Sequence, residues 1–188
     1  MDSRAALPVW FALLSTITLL PACGQATAVS VGRVYRIPSS IRSVTALSSR
    51  LSSMTPGRVE RIVDGDTIVV SLDAGTGLDS KEKVRLIGVD TPETVDPRRP
   101  VERFGAEASR FAEERLAGRN VMLAFGPELR DRYGRLLAYV FLEDGSCFNL
   151  AIVAEGYGFA YTKYPFAFMD EFRAVEREAR AAKRGLWR

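Results

Sequence analysis

Short runs of β-branched and aliphatic residues, each bounded by turn-forming residues, are the feature that most constrains how this chain folds. The first two runs flank Asp64-Gly65-Asp66, and this arrangement predicts two strands joined by a tight turn. The five predicted strands are Arg58–Val63, Thr67–Leu72, Lys83–Val89, Asn120–Phe125 and Arg135–Leu142. Strands this short favour a small barrel, closed or nearly closed, of the OB-fold type.

Helical periodicity appears after the third and fifth predicted strands. The first apolar stripe consists of Phe104, Ala108, Phe111, Ala112 and Leu116, and Gly118 ends that segment. Asn149 is predicted to cap a short helix that carries Leu150, Val153, Ala154 and Tyr157. The last stripe is Phe168, Phe172, Val175, Ala179 and Ala182, with Gly185 as its terminator. The predicted fold class is therefore α+β, mainly β: a five-stranded OB-fold-like barrel with about three helices.

The residue types present exclude several kinds of catalysis. The chain contains no His, which removes imidazole as a base, nucleophile or metal ligand. Its two Cys residues, Cys23 and Cys147, are too few for a cysteine zinc site. We expect Cys147 to be a buried thiol. Any chemistry must rely on carboxylates, Arg, Lys, Tyr and a hard metal ion.

The positive charge of the chain is concentrated at its N-terminus. The whole chain carries a net charge of +3, but residues 1–55 contain five Arg and one Asp. Residues 56–188 contain 21 basic and 22 acidic side chains, so this part is nearly neutral. A phosphate-binding surface on the folded part must therefore come from local clustering of cations.

The first 28 residues are typical of an export signal. Val9 to Leu20 is an apolar stretch, shorter than the roughly 20 residues that a membrane-spanning helix needs. Leu20-Pro21-Ala22-Cys23 resembles a bacterial lipoprotein cleavage box, in which Cys23 would carry lipid and anchor the protein to a membrane. Cleavage after Ala28 is one alternative, and an upstream start codon chosen wrongly, with residues 1–55 never made, is another. Residues 29–55 are predicted to be a Ser-rich flexible linker, and residues 56–188 the folded domain.

Carboxylates and arginines occur at the ends of the predicted strands. Asp66 and Asp90, together with a main-chain oxygen, offer hard oxygen ligands that suit Ca²⁺ or Mg²⁺. Arg85 and Arg135 suit the oxygens of a phosphate because guanidinium groups donate in a planar fork. Glu93 is close enough in sequence to Asp90 to activate a water. These residue types are the ones that metal-assisted phosphodiester hydrolysis requires.

Three ordered segments resemble the signature segments of the staphylococcal nuclease, or thermonuclease, family. They are Asp64-Gly65-Asp66-Thr67, Arg85 followed by Asp90-Thr91-Pro92-Glu93, and Asp131-Arg132-Tyr133-Gly134-Arg135. Their joint occurrence is far more specific than any one of them, since each alone is more often a turn or a solvated surface. The resemblance runs from about Val59 to Trp187 and implies the same OB-type barrel.

The resemblance also implies a role for each matching residue. One Ca²⁺ ion is expected on Asp66, Asp90 and Thr91, the last acting through its carbonyl. Arg85, Glu93 and Arg135 match the catalytic positions. Arg132, Tyr133 and Tyr161 match substrate-binding positions. The implied function is a calcium-dependent, secreted or lipid-anchored endonuclease, monomeric, that cuts the P–O5′ bond of DNA or RNA and leaves 3′-phosphate ends.

The chain departs from the family pattern in two places. The loop over residues 73–82 is several residues longer, and Lys163 stands where a second pocket tyrosine is expected, with Tyr164 one step further on. Two other functions stay open at this point. One is a nuclease-like module that binds nucleic acid or protein without cutting, although no catalytic-type residue has been lost. The other is a generic OB-fold single-strand binder, whose binding would not depend on Ca²⁺.

Overall fold

The computed structural model of the chain describes residues 54–92 and 104–188. The predicted signal segment, all but the end of the predicted linker, and Glu93 therefore lie outside the described residues. Within the two described ranges, no helix is both long and apolar enough to cross a membrane.

Five strands form a closed barrel, which confirms the predicted fold class. In order around the barrel they are β1 (Thr55–Asp64), β2 (Thr67–Leu72), β3 (Lys81–Leu86), β6 (Leu136–Phe141) and β5 (Asn120–Arg130). Neighbouring strands are antiparallel except β3 and β6, which run parallel and close the barrel. This parallel pair sets Arg85 opposite Leu137, two residues after Arg135.

The predicted third strand is wrong at its end, because the barrel strand stops at Leu86. Ile87 and Gly88 form a turn, and Gly88 has φ +75°, a conformation that side-chain-bearing residues rarely adopt. Beyond the turn, β4 (Val89–Asp90) leaves the barrel and pairs with β7 (Phe159–Ala160). Asp90 is therefore held by a separate two-stranded sheet beside the barrel.

Three helices are seen in the described residues, and the buried hydrophobic residues of the first and last fall on the predicted stripes, whereas every residue of the second is buried. They are α1 (Gly105–Leu116), α2 (Phe148–Ala154) and α3 (Met169–Ala181), and a short 3₁₀ helix (Gly185–Trp187) follows. Ala108, Ala112 and Leu116 are fully buried on α1, as are Phe172 and Ala179 on α3. Gly185 begins the 3₁₀ helix and does not end α3, which stops at Ala181.

Asn149 does not cap α2, contrary to the sequence-based prediction. The helix begins at Phe148, and the buried Asn149 side chain instead bonds the backbone of neighbouring elements. Its Oδ1 accepts the Val140 amide at 2.8 Å, and its Nδ2 donates to the carbonyls of Ile87 and Ala138 at 3.0 Å. Asn149 thus joins α2 to β6 of the barrel and to the Ile87–Gly88 turn. Because this turn precedes β4, these bonds help to position the β4–β7 sheet relative to β6.

Cys147 is a buried free thiol, as the sequence predicts. Complete burial raises the pKa of this thiol to about 12. The thiolate is therefore scarce at neutral pH, and Cys147 contributes to packing and not to nucleophilic chemistry.

Candidate active site

The turn between β1 and β2 places the first carboxylates of the site. Asp64 Oδ1 accepts the Asp66 amide at 3.0 Å, so the turn is closed by its own side chain. The Leu86 amide donates to the Asp66 carbonyl at 2.9 Å and ties the turn to β3. Gly65 is required here because a Cβ would lie 2.8 Å from both Ala108 Cβ and Thr91 Cγ2. The turn is thereby packed between α1 and the segment after β4.

Asp66 is the centre of the polar contacts. Its carboxylate forms an ion pair with Arg85 Nη1 and accepts a hydrogen bond from Thr67 Oγ1 at 3.0 Å. Its second oxygen accepts the Thr91 amide at 3.0 Å. These three contacts bring together β2, β3 and the end of β4, which are separate in the sequence.

Arg85 joins the two carboxylates that the sequence assigns to a metal. Its Nη2 lies 3.1 Å from Asp90 Oδ1, while Nη1 pairs with Asp66, and 15% of its side chain is exposed. Burial lowers the pKa of Arg85, the Asp90 carboxylate opposes that shift, and the Arg135 charge adds to it. The guanidinium remains charged at neutral pH, because an Arg pKa starts so high.

The second arginine is positioned by the turn between β5 and β6. Arg135 Nε donates to Asp131 Oδ2 at 2.7 Å, and Asp131 Oδ1 accepts the amides of Tyr133 and Arg135 at 2.9 and 3.0 Å. Burial raises the pKa of Asp131, but these hydrogen bonds outweigh it and hold the pKa below its ordinary value. Arg135 Nη1 also reaches Thr67 Oγ1 at 3.4 Å. Thr67 therefore connects Arg135 to Asp66.

Tyr133 lies between two arginines at the mouth of the site. Its ring is 4.7 Å from the Arg132 guanidinium and 5.5 Å from that of Arg135, and the residue is 67% exposed. Arg132 Nη2 donates to the Tyr133 hydroxyl. The arginines hold the ring in place while much of the residue stays exposed, which suits contact with a sugar or base.

These residues surround an open, strongly polar cleft of about 270 Å³. Its lining residues are Asp64, Asp66, Arg85, Asp90, Thr91, Pro92, Tyr133 and Arg135. The structure therefore brings together all but three of the residues that the sequence predicts for the site. Glu93 lies outside the described residues. Arg132 and Tyr161 do not line the cleft, although Arg132 contacts it through Tyr133.

Tyr161 directly follows β7 and is not among the residues that line the cleft. Its amide donates to the Gly88 carbonyl at 3.0 Å, and its ring is 6.1 Å from that of Tyr164. Lys163 Nζ lies 5.7 Å from the Tyr164 ring. Tyr164 is 62% exposed, so these two rings form a separate aromatic surface next to the site.

Asp64 and Asp131 are site residues that the sequence interpretation did not assign. Asp64 lines the cleft, and Asp131 holds Arg135. Both stand inside the motifs that marked the site, two residues before Asp66 and four before Arg135. Their position in the sequence could have indicated this role, because an Asp side chain in a turn commonly accepts a hydrogen bond from the amide two residues later. Asp64 accepts the Asp66 amide in this way, and Asp131 accepts the Tyr133 amide.

The oxygen donors of the cleft fit a hard divalent cation. Asp66, Asp90 and Thr91 offer only oxygen atoms, and the half-exposed Asp90 side chain leaves room for water ligands. Among residues 54–92 and 104–188, no three acidic, Cys or His residues are grouped as a metal site. A cation here would have two carboxylates as protein charges, with main-chain oxygen and water completing its coordination.

An ion pair between the buried Glu82 and the exposed Arg130 holds the Arg135 turn from its β5 side. Glu82 is 5% exposed and binds Arg130 through both oxygens, with Arg130 Nη1 at 2.9 Å from Oε2. The same Nη1 donates to the Gly134 carbonyl at 2.8 Å. The Asp79 amide donates to Glu82 Oε1 at 3.2 Å, which also fastens the long loop before β3.

Glu82→Gln is expected to lower the free energy of unfolding at pH 7, because the buried Glu82 carboxylate would lose its charge-assisted hydrogen bonds to Arg130, although solvent around the exposed Arg130 limits the loss. Hydrogen bonds from Arg130 lower the pKa of folded Glu82 below its ordinary value of 4.5. Its stabilisation is therefore complete above that value and is lost as the pH falls through the lower folded pKa. Urea unfolding at pH 7 and over a series of acidic pH values measures this, and the difference between the two proteins should shrink as the pH falls below 4.5. Glu114→Gln, on an exposed face of α1, is the control, and equal stability of the two variants at pH 7 would refute the role of the pair.

Comparison with known proteins gives consistent matches over this part of the chain. The family model described as staphylococcal nuclease homologue matches residues 83–188. Thermonuclease from Staphylococcus intermedius is 41% identical over 133 residues, covering 69% of this chain and 74% of that protein. Thermonuclease from Staphylococcus hyicus is 37% identical over 131 residues, with the same two coverages. Endonuclease YncB from Bacillus subtilis is 37% identical over 132 residues, covering 69% of this chain and 60% of that protein.

Proposed function

This chain belongs to the family of staphylococcal nuclease homologues and is a hydrolase of the endonuclease class, and from that premise we propose that it cuts DNA, RNA or both in a calcium-dependent reaction. Cleavage breaks the P–O5′ bond and leaves 3′-phosphate ends. The observation that carries the proposal is the convergence of Arg85 and Arg135 on one cleft with Asp66 and Asp90.

The two arginines bind the phosphate that is cut. Arg85 enters the cleft from β3 and Arg135 from the turn before β6, so they donate to different oxygens of one phosphate. Their positive charge favours the pentacoordinate transition state, in which the phosphate oxygens carry more negative charge than in the substrate. Asp131 and Thr67 fix the direction of Arg135, so little reorganisation is needed when substrate binds.

Asp66, Asp90 and Thr91 would hold one Ca²⁺ ion beside this phosphate. When bound, the ion supplies Lewis-acid polarisation of a phosphate oxygen. Asp66 and Asp90 are now both paired with Arg85. These two ion pairs hold the Arg85 guanidinium beside the proposed metal ligands. Arg85 and the ion would therefore lie next to the same phosphate.

Glu93 is proposed as the general base or the residue that orients the attacking water. It follows Thr91 and Pro92, which line the cleft. The role suits a carboxylate because the chain contains no His to act as base. Tyr133 supports the nucleotide next to the cut, with Arg132 holding its hydroxyl. Tyr161 is proposed to contact the substrate further out, with Tyr164 beside it.

The proposal is tested with a 5′-labelled oligonucleotide and a plasmid, each incubated with Ca²⁺ at alkaline pH and then with EGTA. Both should be cut with Ca²⁺, and EGTA should stop cleavage. The products should resist extension by a DNA polymerase until a phosphatase removes their 3′-phosphate. Absence of cleavage with Ca²⁺ would leave a nuclease-like binding module as the function, and directly extendable ends would refute the proposed bond.

We further propose that the protein is exported, as a cell-envelope lipoprotein or a secreted monomer. The support is the sequence of residues 1–28, with Cys23 in a lipoprotein-like box. Intact mass of the mature protein distinguishes the outcomes. A lipidated N-terminal Cys23 or a start near Val29 is expected, and Met1 retained on a cytoplasmic species would contradict export.

A further inference from the structure

The outer face of β1, β2 and β3 continues from the cleft as a regular ladder of cross-strand rows. The row at the cleft consists of Asp64, Thr67 and Arg85. The next row consists of Arg61, Val69 and Lys83, and the third of Arg58, Ser71 and Lys81. Lys81, Lys83 and Arg85 are spaced two apart on β3, so their side chains leave the same face of the sheet.

Three cations on this face have no ion-pair partner among the described residues. Arg61, Lys81 and Lys83 are exposed, and none of them forms an ion pair with another residue of the described ranges. Residues 56–188 carry almost no net charge, so the cluster does not reflect a general excess of basic residues. Between the cations of β1 and β3, the short side chains of half-buried Val69 and Ser71 line the surface along β2.

The spacing of the rows suits a polynucleotide backbone. Two residues of a β-strand span about 7 Å, which is close to the separation of successive phosphates in an extended single strand. A strand whose phosphate lies at Arg85 would thus present its next phosphates to Lys83 and then Lys81. In the third row Ser71 Oγ donates to the Glu60 carboxylate at 2.9 Å. This negative charge beside Lys81 marks the end of the cationic surface.

We propose that Arg61, Lys83 and Lys81 form a binding strip for the phosphates of single-stranded nucleic acid that flank the one being cut. This proposal rests on the proposed function, because the strip begins at Arg85, which is proposed to bind the phosphate that is cut. It holds about two phosphates on one side of the cleft, and it contains no proposed metal ligand. Its contribution to binding is therefore independent of Ca²⁺.

The test is binding of a fluorescein-labelled twelve-residue thymidylate in EGTA, measured by anisotropy over a range of NaCl concentrations. Each phosphate contact to a single strand contributes about 0.7 to the slope of log affinity against log salt. Lys81→Gln/Lys83→Gln should therefore reduce that slope by about 1.4 and weaken binding at low salt about tenfold. Lys81→Arg/Lys83→Arg should retain the slope, because it keeps both charges. The control Arg173→Gln/Arg177→Gln removes the same charge from the exposed face of α3 and should leave the slope unchanged.

The outcomes separate the strip from the proposed function. An unchanged slope for Lys81→Gln/Lys83→Gln, or an equal loss for the control pair on α3, overturns the strip. The melting temperatures of all three variants are measured alongside, to show that each is folded. If the glutamine variant at positions 81 and 83 is unfolded, Lys81→Arg/Lys83→Arg decides, and a reduced slope in that variant overturns the strip. If the wild-type protein cuts nothing with Ca²⁺ while Lys81→Gln/Lys83→Gln still shows the reduced salt slope, the proposed function fails and the strip stands.

Discussion

Cleavage by the Arg85→Ala variant is expected to fall roughly 1,000- to 10,000-fold in kcat/KM, the range found when an arginine that stabilises a phosphoryl transition state is removed. Arg85 is the residue that touches both proposed metal carboxylates and lines the cleft. Its loss removes a positive charge where the phosphate gains negative charge. Single-turnover cleavage of a labelled oligonucleotide with Ca²⁺ measures the effect.

Two companion variants show whether the loss is chemical. Arg85→Lys keeps the charge but not the planar fork, so it should recover only part of the activity. Arg177→Ala, on the exposed face of α3, is the matched control and should cut like the wild type. The rise in melting temperature on adding Ca²⁺ should persist in Arg85→Ala, because Asp66 and Asp90 remain. Wild-type cleavage by Arg85→Ala would exclude the assigned role.

The Asp66→Asn variant is expected to lose cleavage by at least about 1,000-fold at a fixed Ca²⁺ concentration, since a metal ion at such a site is worth several kcal/mol. The change is nearly isosteric, and the amide oxygen can still accept the Thr91 amide. What it removes is half of the carboxylate charge available to the ion. Calorimetric titration with Ca²⁺ should show much weaker binding, and higher Ca²⁺ should restore part of the cleavage.

The matched control for Asp66→Asn is Asp73→Asn, an exposed carboxylate in the loop after β2. It should bind Ca²⁺ and cut as the wild type does. If Asp66→Asn keeps full calcium affinity, Asp66 is not a ligand. If it keeps affinity but loses cleavage, its role is to hold Arg85 and Thr67 in place.

The sequence was sufficient for the barrel and for the residues at the ends of its strands. Asp66, Arg85, Asp90 and Arg135 could be placed together because strand ends with turn residues are readable from local patterns. Contacts between distant residues were not readable. Glu82 and Arg130 are 48 residues apart, and each alone is an ordinary charged residue of a strand. Their partnership arises only when the barrel closes.

The same reason explains the errors in the sequence-based description. Asn149 has the residue type and position of a helix cap, but three buried backbone groups of other elements compete for its side chain and win. The third strand was predicted to continue to Val89 because the residues are apolar throughout. Gly88 ends it, since its positive φ directs the chain away from the barrel.

The parallel pairing of β3 with β6 also determines when a folding chain first has a complete cleft. Arg85 and Arg135 are fifty positions apart, and only this pairing brings them to one cleft. Contacts between segments so far apart form late, after the loop between them has closed. A chain still on the ribosome, before β3 and β6 have paired, has the two arginines on separate stretches of coil. Such a chain lacks the cleft, so the chemistry of the site begins only when the barrel closes.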